Sequence, residues 1–239
     1  MKKTLAVLFS LVTVTGFAQN VRSGGWAEQF MVGATVNVNS SWLLNQAVSN
    51  LPDGQSDHEF SMGYSVGITG GYHYNEYIGA AFDVHYFKLN QRYSGKRDAL
   101  FWESDVSVTG IQIPVYGKFM TKSGFFAEVG WQFGFITGAK YNRSQISGAE
   151  GPVREDVKSN FSKVIHSPHL GIGMDWYLND MWVITTGLRA NYGVNDIGGV
   201  DGSGRSLIDD QVYTDPKPTN PLTVGFFLGF RHMIDAGGR

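Results

Sequence analysis

Residues 60–72 read FSMGYSVGITGGY, and this stretch decides the fold. Large apolar side chains stand at Phe60, Met62, Tyr64, Val66, Ile68 and Tyr72, and the residues between them are serine, glycine and threonine. Successive side chains of a strand point to opposite faces, so the pattern predicts a β-strand with one apolar and one small polar face. The class of protein then depends on which face meets water.

The first residues have the pattern of an export signal. A positive start, Met1-Lys2-Lys3, precedes the apolar run 5–14, and small residues follow at Gly16 and Ala18. We predict a cleaved signal peptide over 1–18 and a single mature domain over 19–239. An uncleaved anchor helix would need about 20 apolar residues, roughly twice this run. The absence of cysteine excludes a lipid-anchored lipoprotein and a disulfide framework.

Composition narrows the class further. Charged residues make up 17% of the chain, below the roughly 25% of soluble domains, and 31 of the 239 residues are glycine. The net charge is −2 and there is no basic run, which argues against nucleic acid as a partner. No later stretch is long enough for a transmembrane helix, so a membrane-spanning form would have to be a closed barrel.

Eight segments of the chain show the same alternation and are predicted as strands. They span 28–40, 59–73, 77–93, 105–119, 125–141, 166–178, 181–194 and 221–234. Short polar turns at 74–76, 121–124 and 179–180 alternate with long connections at 41–58, 94–104, 142–165 and 195–220. An up-and-down barrel places all the short turns at one end, as outer-membrane barrels do on their periplasmic side. We therefore expect periplasmic termini and extracellular long loops.

The alternative with the same periodicity is a secreted, soluble eight-stranded barrel of lipocalin type, whose apolar face points inward. The apolar faces here are rich in Trp, Phe and Tyr, too bulky to converge in a narrow lumen. The opposite faces are mostly Gly, Ser, Thr and Asn, whereas a soluble exterior is usually dense in Lys and Glu. The prediction is therefore an all-β, eight-stranded, antiparallel, up-and-down transmembrane β-barrel in the outer membrane.

A few ionisable residues share the inward positions of the predicted strands. They are Asp83, His85, Lys118, Glu128, Asp175, Arg189 and Arg231. An eight-stranded barrel is just wide enough to be filled by its own side chains, and unpaired charges there would be costly. The near balance of signs favours a packed network of ion pairs that fixes register over a proton or ion path.

Motifs for chemistry are weak. No metalloprotease, serine-hydrolase or cysteine-nucleophile motif appears, and Ser167 beside His166 would face away from it in a strand. Acidic residues among glycines at 195–204 do not match a calcium loop. We expect no enzyme activity, no cofactor and no metal. Apolar residues in two predicted loops are either membrane-interface anchors or a protein contact: Trp42, Leu43, Leu44, Phe101 and Trp102.

Several stretches resemble a known family. They are GIQIPVYGKF at 110–119, GFFAEVG at 124–130, GLRANYG at 187–193 and VGFFLGFR at 224–231. The chain resembles the small outer-membrane β-barrels of Bacteroidota, the porin-family or PorT-like barrel domain. The resemblance implies the barrel fold and a setting among outer-membrane lipids and lipopolysaccharide. Because that family includes accessory components of type IX secretion, it also implies other envelope proteins as partners.

The function expected from the sequence is therefore that of a non-enzymatic outer-membrane barrel, a structural or accessory subunit of an envelope assembly that binds partners through its long loops or rim. A rim-sited lipid-modifying enzyme and a narrow passive channel are the alternatives.

Overall fold

A computed structural model describes residues 28–49, 57–97, 100–145, 153–199 and 217–235. Its strands are β1 (Gln29–Asn45), β2 (Asp57–Glu59), β3 (Met62–His73), β4 (Ile78–Arg97), β5 (Leu100–Met120), β6 (Phe125–Gln145), β7 (Val153–Asp156), β8 (Val164–Tyr177), β9 (Trp182–Tyr192) and β10 (Thr219–Asp235). One helical turn, α1 (Gln46–Ser49), follows β1, and a short 3-10 helix (Lys158–Asn160) follows β7. Within this part of the chain, no helix is long and apolar enough to cross a membrane.

Eight antiparallel strands close into a ring. The order is β1-β3-β4-β5-β6-β8-β9-β10, and β10 pairs with β1 to complete it. Each strand pairs with its neighbours along the chain, so the predicted up-and-down barrel of eight strands is confirmed. The tight turns at 74–77, 121–124 and 178–181 lie at the same end as Gln29 and Asp235, which we call the turn end; the opposite one is the loop end.

Two of the turns are closed by the same pattern of hydrogen bonds to an asparagine side chain. The Asn75 side-chain oxygen accepts from the backbone N–H groups of Tyr77 and Ile78, both at 2.8 Å. The Asn179 oxygen likewise accepts from Met181 and Trp182, both at 2.9 Å. Asparagine therefore closes these turns by replacing backbone partners, which explains its presence there.

The loop end departs from the predicted boundaries. The connection predicted at 94–104 is wrong, because β4 and β5 remain paired as far as Arg97 and Leu100. β1 continues to Asn45, β6 continues to Gln145, and the short strand β7 pairs with β6. The strand residues at 41–45, 94–97, 100–104 and 142–145 therefore lie in segments that the sequence predicts as loops.

The apolar faces point outward along the ring. Val66 and Ile68 of β3 are 49% and 64% exposed, whereas the intervening Ser65 and Thr69 are buried in the lumen. The same outward exposure holds for large apolar residues of all eight barrel strands. A lipocalin-type barrel has the reverse arrangement, so this surface is one for lipid.

Glycine is the means by which so narrow a barrel accommodates large side chains. Several large lumen residues stand directly opposite a glycine of the neighbouring strand: Arg231 opposite Gly33, His85 opposite Gly67, Phe87 opposite Gly110, Tyr116 opposite Gly130, Glu128 opposite Gly171 and Phe227 opposite Gly187. A Cβ at Gly130 would lie 2.6 Å from the Tyr116 Cβ. Small residues opposite large ones fill a small barrel without overlap.

A bulge in β6 changes which residues face inward. Thr109 pairs with Gly138 but Gly110 pairs with Ile136, so β6 carries one extra residue at Thr137. Inward positions are even-numbered up to Ile136 and odd-numbered from Ala139. A bulge shifts the alternation by one residue, and this one keeps Tyr141 buried and Lys140 outside.

Candidate functional site

The lumen near the turn end contains an ionic layer centred on Arg189. Its Nε and Nη2 donate to the two oxygens of Glu128 at 2.8 and 3.2 Å, and Nη1 donates to Asp83 at 2.8 Å. The Tyr116 hydroxyl accepts from Nη2 at 3.0 Å and donates to Asp83 at 3.1 Å. The guanidinium also lies 4.1 Å from the Phe227 ring centroid. All these side chains are buried.

A second ion pair lies beside the first. Lys118 Nζ donates to Asp175 at 2.5 Å, while the Thr185 hydroxyl donates to the other carboxylate oxygen at 2.8 Å. Arg231, 1% exposed, stands between the two pairs, 3.9 Å from Asp175 and 4.0 Å from Glu128. Three carboxylates thus face three permanent cations, which balances the charge of the layer.

Histidines border the ionic layer. His85 Nε2 lies 2.5 Å from the Thr35 hydroxyl and 3.7 Å from Asp83. In a catalytic Thr-His-Asp arrangement the hydroxyl and the carboxylate contact different nitrogens of the imidazole ring. Here Thr35 and Asp83 both approach Nε2, so the three residues do not have that geometry. His169 contacts Asn191 at 2.8 Å through Nδ1 and lies 3.5 Å from Glu128 through Nε2.

The structure therefore brings together all seven ionisable residues that the sequence places inward, from Asp83 to Arg231. Sequence reasoning missed the members that carry no permanent charge: Thr35, Tyr116, His169, Thr185, Phe227 and Phe126, whose ring centroid lies 4.0 Å from Lys118 Nζ. The signal was available, since Tyr116 shares the inward alternation of Lys118, and Phe126 that of Glu128. The balance of charges on the inward faces does not single out such residues.

A belt of amide and hydroxyl side chains lies between the ionic layer and the loop end. It surrounds a cavity of about 20 Å³, room for about one water molecule. The lining includes Asn37, Asn39, Ser65, Gln112, Gln132, Asn191 and Thr223. An adjoining cavity of about 20 Å³ shares Gln112, Gln132, Asn191 and Thr223. Each is therefore too small to hold a hydrated ion.

An apolar plug closes the lumen at the loop end. Its buried members are Leu43, Val48, Phe87, Leu89, Tyr93, Val106, Val108, Ile136, Ala139, Tyr141, Val157, Phe161, Ile165 and Ile197. Val48, Val157, Phe161 and Ile197 come from segments outside the eight barrel strands and cover the barrel mouth. The described lumen is therefore filled at two levels, by ion pairs and by apolar side chains.

The prediction for Leu43 is wrong. It was expected as an exposed anchor or contact, but it is 1% exposed and belongs to the apolar plug. The Tyr93 hydroxyl donates to its carbonyl at 3.2 Å, and the His58 ring packs on Tyr93 at 5.1 Å. Burial lowers the pKa of His58. The strand β1 continues to Asn45, so the barrel alternation turns Leu43 inward.

The other predicted contacts have different outcomes. Trp42 and Leu44 lie half-buried on the outward side of β1, opposite Leu222 and Asn220. Phe101 and Trp102 are in β5, where the backbone pairs with β4, but their side chains lie outside the described residues. In the long connection predicted at 195–220, residues 200–216 also lie outside the described residues. Asp196, which is described, accepts from the Gly198 and Thr219 N–H groups.

Beyond the apolar band the barrel changes character on one side. After Tyr86, the outward residues of β4 are Lys88, Asn90 and Arg92, while the inward ones are Phe87, Leu89, Gln91 and Tyr93. The barrel thus becomes mainly apolar inside and polar outside, as in a soluble protein. The strands in order β2-β4-β5-β6-β7 form this region, which we call the raised wall: β2, 88–97, 100–109, 138–145 and β7.

The two residues that the sequence offers as a catalytic pair, Ser167 and His166, do not come together in the structure. Ser167 is buried in the lumen, and His166 faces outward against the Phe133 ring at 5.7 Å. No three His, Cys, Asp or Glu side chains among the described residues are placed to hold a metal ion.

Comparison with known proteins identifies the family. The family model of the outer membrane protein beta-barrel domain matches residues 17–199. No curated protein sequence matches the chain significantly. Among solved structures, the chain is similar to Neisserial surface protein A (13% identity, TM-score 0.38, covering 87% of this chain and 97% of that one). It is also similar to Ail, the attachment invasion locus protein of Yersinia pestis (11%, 0.38, 84% and 97%), and to OprG from Pseudomonas aeruginosa (12%, 0.37, 89% and 99%). With its outward apolar band and closed ring of eight strands, this chain belongs to the outer membrane protein beta-barrel domain family.

Proposed function

We propose that this outer-membrane barrel is a non-enzymatic, non-conducting accessory subunit of an envelope assembly, with secretion as its setting. The single observation that carries the proposal is a lumen filled at two levels together with a raised wall that extends one side of the barrel. Because the lumen is filled, a partner must bind the outer surface, and the raised wall is a surface that lies beyond the lipid band.

The orientation belongs to the same proposal. Tight turns lie at the end that carries both Gln29 and Asp235, and longer connections lie at the other. Outer-membrane barrels place short turns in the periplasm. The raised wall then stands outside the cell, where a partner protein can reach it.

The wall is suited to a protein partner. Its outward face carries both signs of charge, with Arg92 paired in register between Glu59 and Asp105. Within the described residues, β2 pairs only with β4 and β7 only with β6, so each presents one edge without a neighbouring strand. Exposed edges and mixed charges can bind another chain by strand pairing and by salt bridges. Phe60 is 68% exposed beside β2 and adds an apolar contact.

Site-specific photocrosslinking in cells tests the proposal. A photoreactive phenylalanine analogue at Arg92 or Asp105 is expected to give adducts with another envelope protein. The matched control position is Val129, which is 53% exposed in the lipid band and should give lipid adducts only. Absence of a protein adduct from both wall positions, in a protein that is correctly folded, would overturn the proposal.

Conductance separates the proposal from the passive-channel alternative. In planar bilayers the purified full-length protein is expected to give no discrete current steps, because the ion pairs and the apolar plug leave no continuous aqueous path. A heat-denatured sample controls for leakage caused by detergent. Reproducible single-channel openings from the folded protein would contradict a closed lumen.

A further inference from the structure

We propose that three lysines at the loop-end border of the apolar band, Lys88, Lys140 and Lys163, bind the phosphate groups of outer-leaflet lipid A. We call them the lysine edge. The inference rests on the proposed orientation, which places the loop end outside the cell, and it names a lipid partner that the proposed assembly role does not include.

Lys88 lies where the apolar band of β4 ends. Lys88 is the next outward residue of β4 after Tyr86, opposite Tyr64 of β3 and Thr109 of β5. Tyr64 and Tyr86 are 43% and 42% exposed, and their ring centroids are 6.5 Å apart. Aromatic rings of this kind occupy the interface between hydrocarbon and headgroups, so Lys88 lies at headgroup height.

The other two lysines lie further round the same border: Lys140 is on β6, which β5 separates from β4, and Lys163 directly precedes β8. The Lys163 carbonyl accepts from the Ile136 N–H at 2.9 Å, which places Lys163 immediately beyond Phe135, the last aromatic residue of the β6 band. Lys140 lies just beyond the β6 bulge. Lys140 and Lys163 are exposed, and Lys88 is half-buried.

None of the three forms an ion pair with another described residue. Asp156 stands opposite Lys140 in register, and it is the carboxylate nearest to this edge along the paired strands. Glu59, Glu103 and Asp105 lie further from the band, along the raised wall. The first layer above the lipid is therefore mainly cationic.

The turn end has the opposite charge. Its described border carries the carboxylates Glu28, Glu76, Asp180 and Asp235, and Lys122 there lies 3.5 Å from Glu76. The two borders of one apolar band thus differ in sign. A lysine ammonium is a compact point charge that binds phosphate oxygens, and a leaflet whose lipids carry phosphates at headgroup height complements the lysine edge.

Native mass spectrometry of lipid binding is the test. Full-length protein refolded in detergent is titrated with bisphosphorylated lipid A, and bound glycolipid is measured for the wild type, for K88Q/K140Q/K163Q and for K122Q. We expect about fivefold weaker binding for each lysine removed, which amounts to about 100-fold for the triple variant. K122Q, which removes one lysine from the other border, should bind as the wild type does.

Three further arms identify the ligand. Dephosphorylated lipid A should bind the wild type no better than bisphosphorylated lipid A binds the triple variant. Phosphatidylglycerol and inorganic phosphate should displace lipid A poorly. Heat-modifiable migration on gels checks that every variant is folded. Unchanged lipid A binding by the folded triple variant, an equal loss in K122Q, or equal displacement by phosphatidylglycerol or inorganic phosphate would overturn the inference. The crosslinking result does not depend on these lysines, so the two proposals can fail separately.

Discussion

Replacing Arg189 by methionine is expected to lower the free energy of unfolding by about 3–5 kcal/mol. Arg189 makes four hydrogen bonds in the ionic layer, to Glu128, Asp83 and Tyr116. Methionine has a similar length but no charge, so Asp83 and Glu128 would remain buried without their principal cation. The measurement is urea unfolding of the protein in phospholipid vesicles, followed by tryptophan fluorescence.

A compensated variant is the control for this prediction. In Glu128→Gln/Arg189→Met one carboxylate is removed together with the arginine, which leaves Asp83 and Asp175 facing Lys118 and Arg231 with balanced charge, so part of the stability should return. A loss below about 1 kcal/mol in Arg189→Met alone would contradict a structural role for the ion pairs, since surface pairs are worth that little.

Replacing Gly130 by valine is expected to cost about 3 kcal/mol, because the lumen has no space for the new side chain. A Cβ at this position would lie 2.6 Å from both the Cα and the Cβ of Tyr116. Tyr116 would have to move, and its hydroxyl links Arg189 to Asp83. The same urea titration in vesicles measures the loss.

Gly117 provides a matched control in the same pair of strands. It is opposite Val129 and faces outward, and the nearest atom to a Cβ there is 3.7 Å away. Gly117→Val should therefore change the free energy of unfolding by no more than about 0.5 kcal/mol. Equal effects of the two substitutions would show that glycine acts through strand flexibility at both positions and that lumen space is not the cause.

Most of the charged residues that line the lumen could be predicted from the alternation of inward and outward positions alone. Asp83, Lys118 and Arg189 could be assigned inward because each alternates with lipid-facing residues in an unbroken strand. Their pairing could not be assigned in the same way. Arg189 and Asp83 are 106 residues apart, and only the closure of the ring brings them to 2.8 Å. The alternation along a strand determines whether a residue faces the lumen or the lipid, whereas the register between strands determines which residues lie beside it.

The loop end was predicted least well, for two physical reasons. The inward and outward preferences exchange at the border of the lipid band, so the inward Leu43 falls in a segment that the sequence predicts as loop, and β4 extends beyond its predicted end at 93 to Arg97. The bulge at Thr137 also shifts the alternation of β6 by one residue. Without it, Tyr141 would face outward and Lys140 would point into the apolar plug.

The sequence by itself determined the number of barrel strands, the lipid-facing side of each and the charges inside, because a period of two residues is a local property of the chain. The tertiary structure alone decided which glycine receives which large side chain, how the ion pairs are shared, and that an apolar plug and a raised wall lie beyond the membrane band. These depend on register between strands that are distant in sequence, and register is set only when the ring closes.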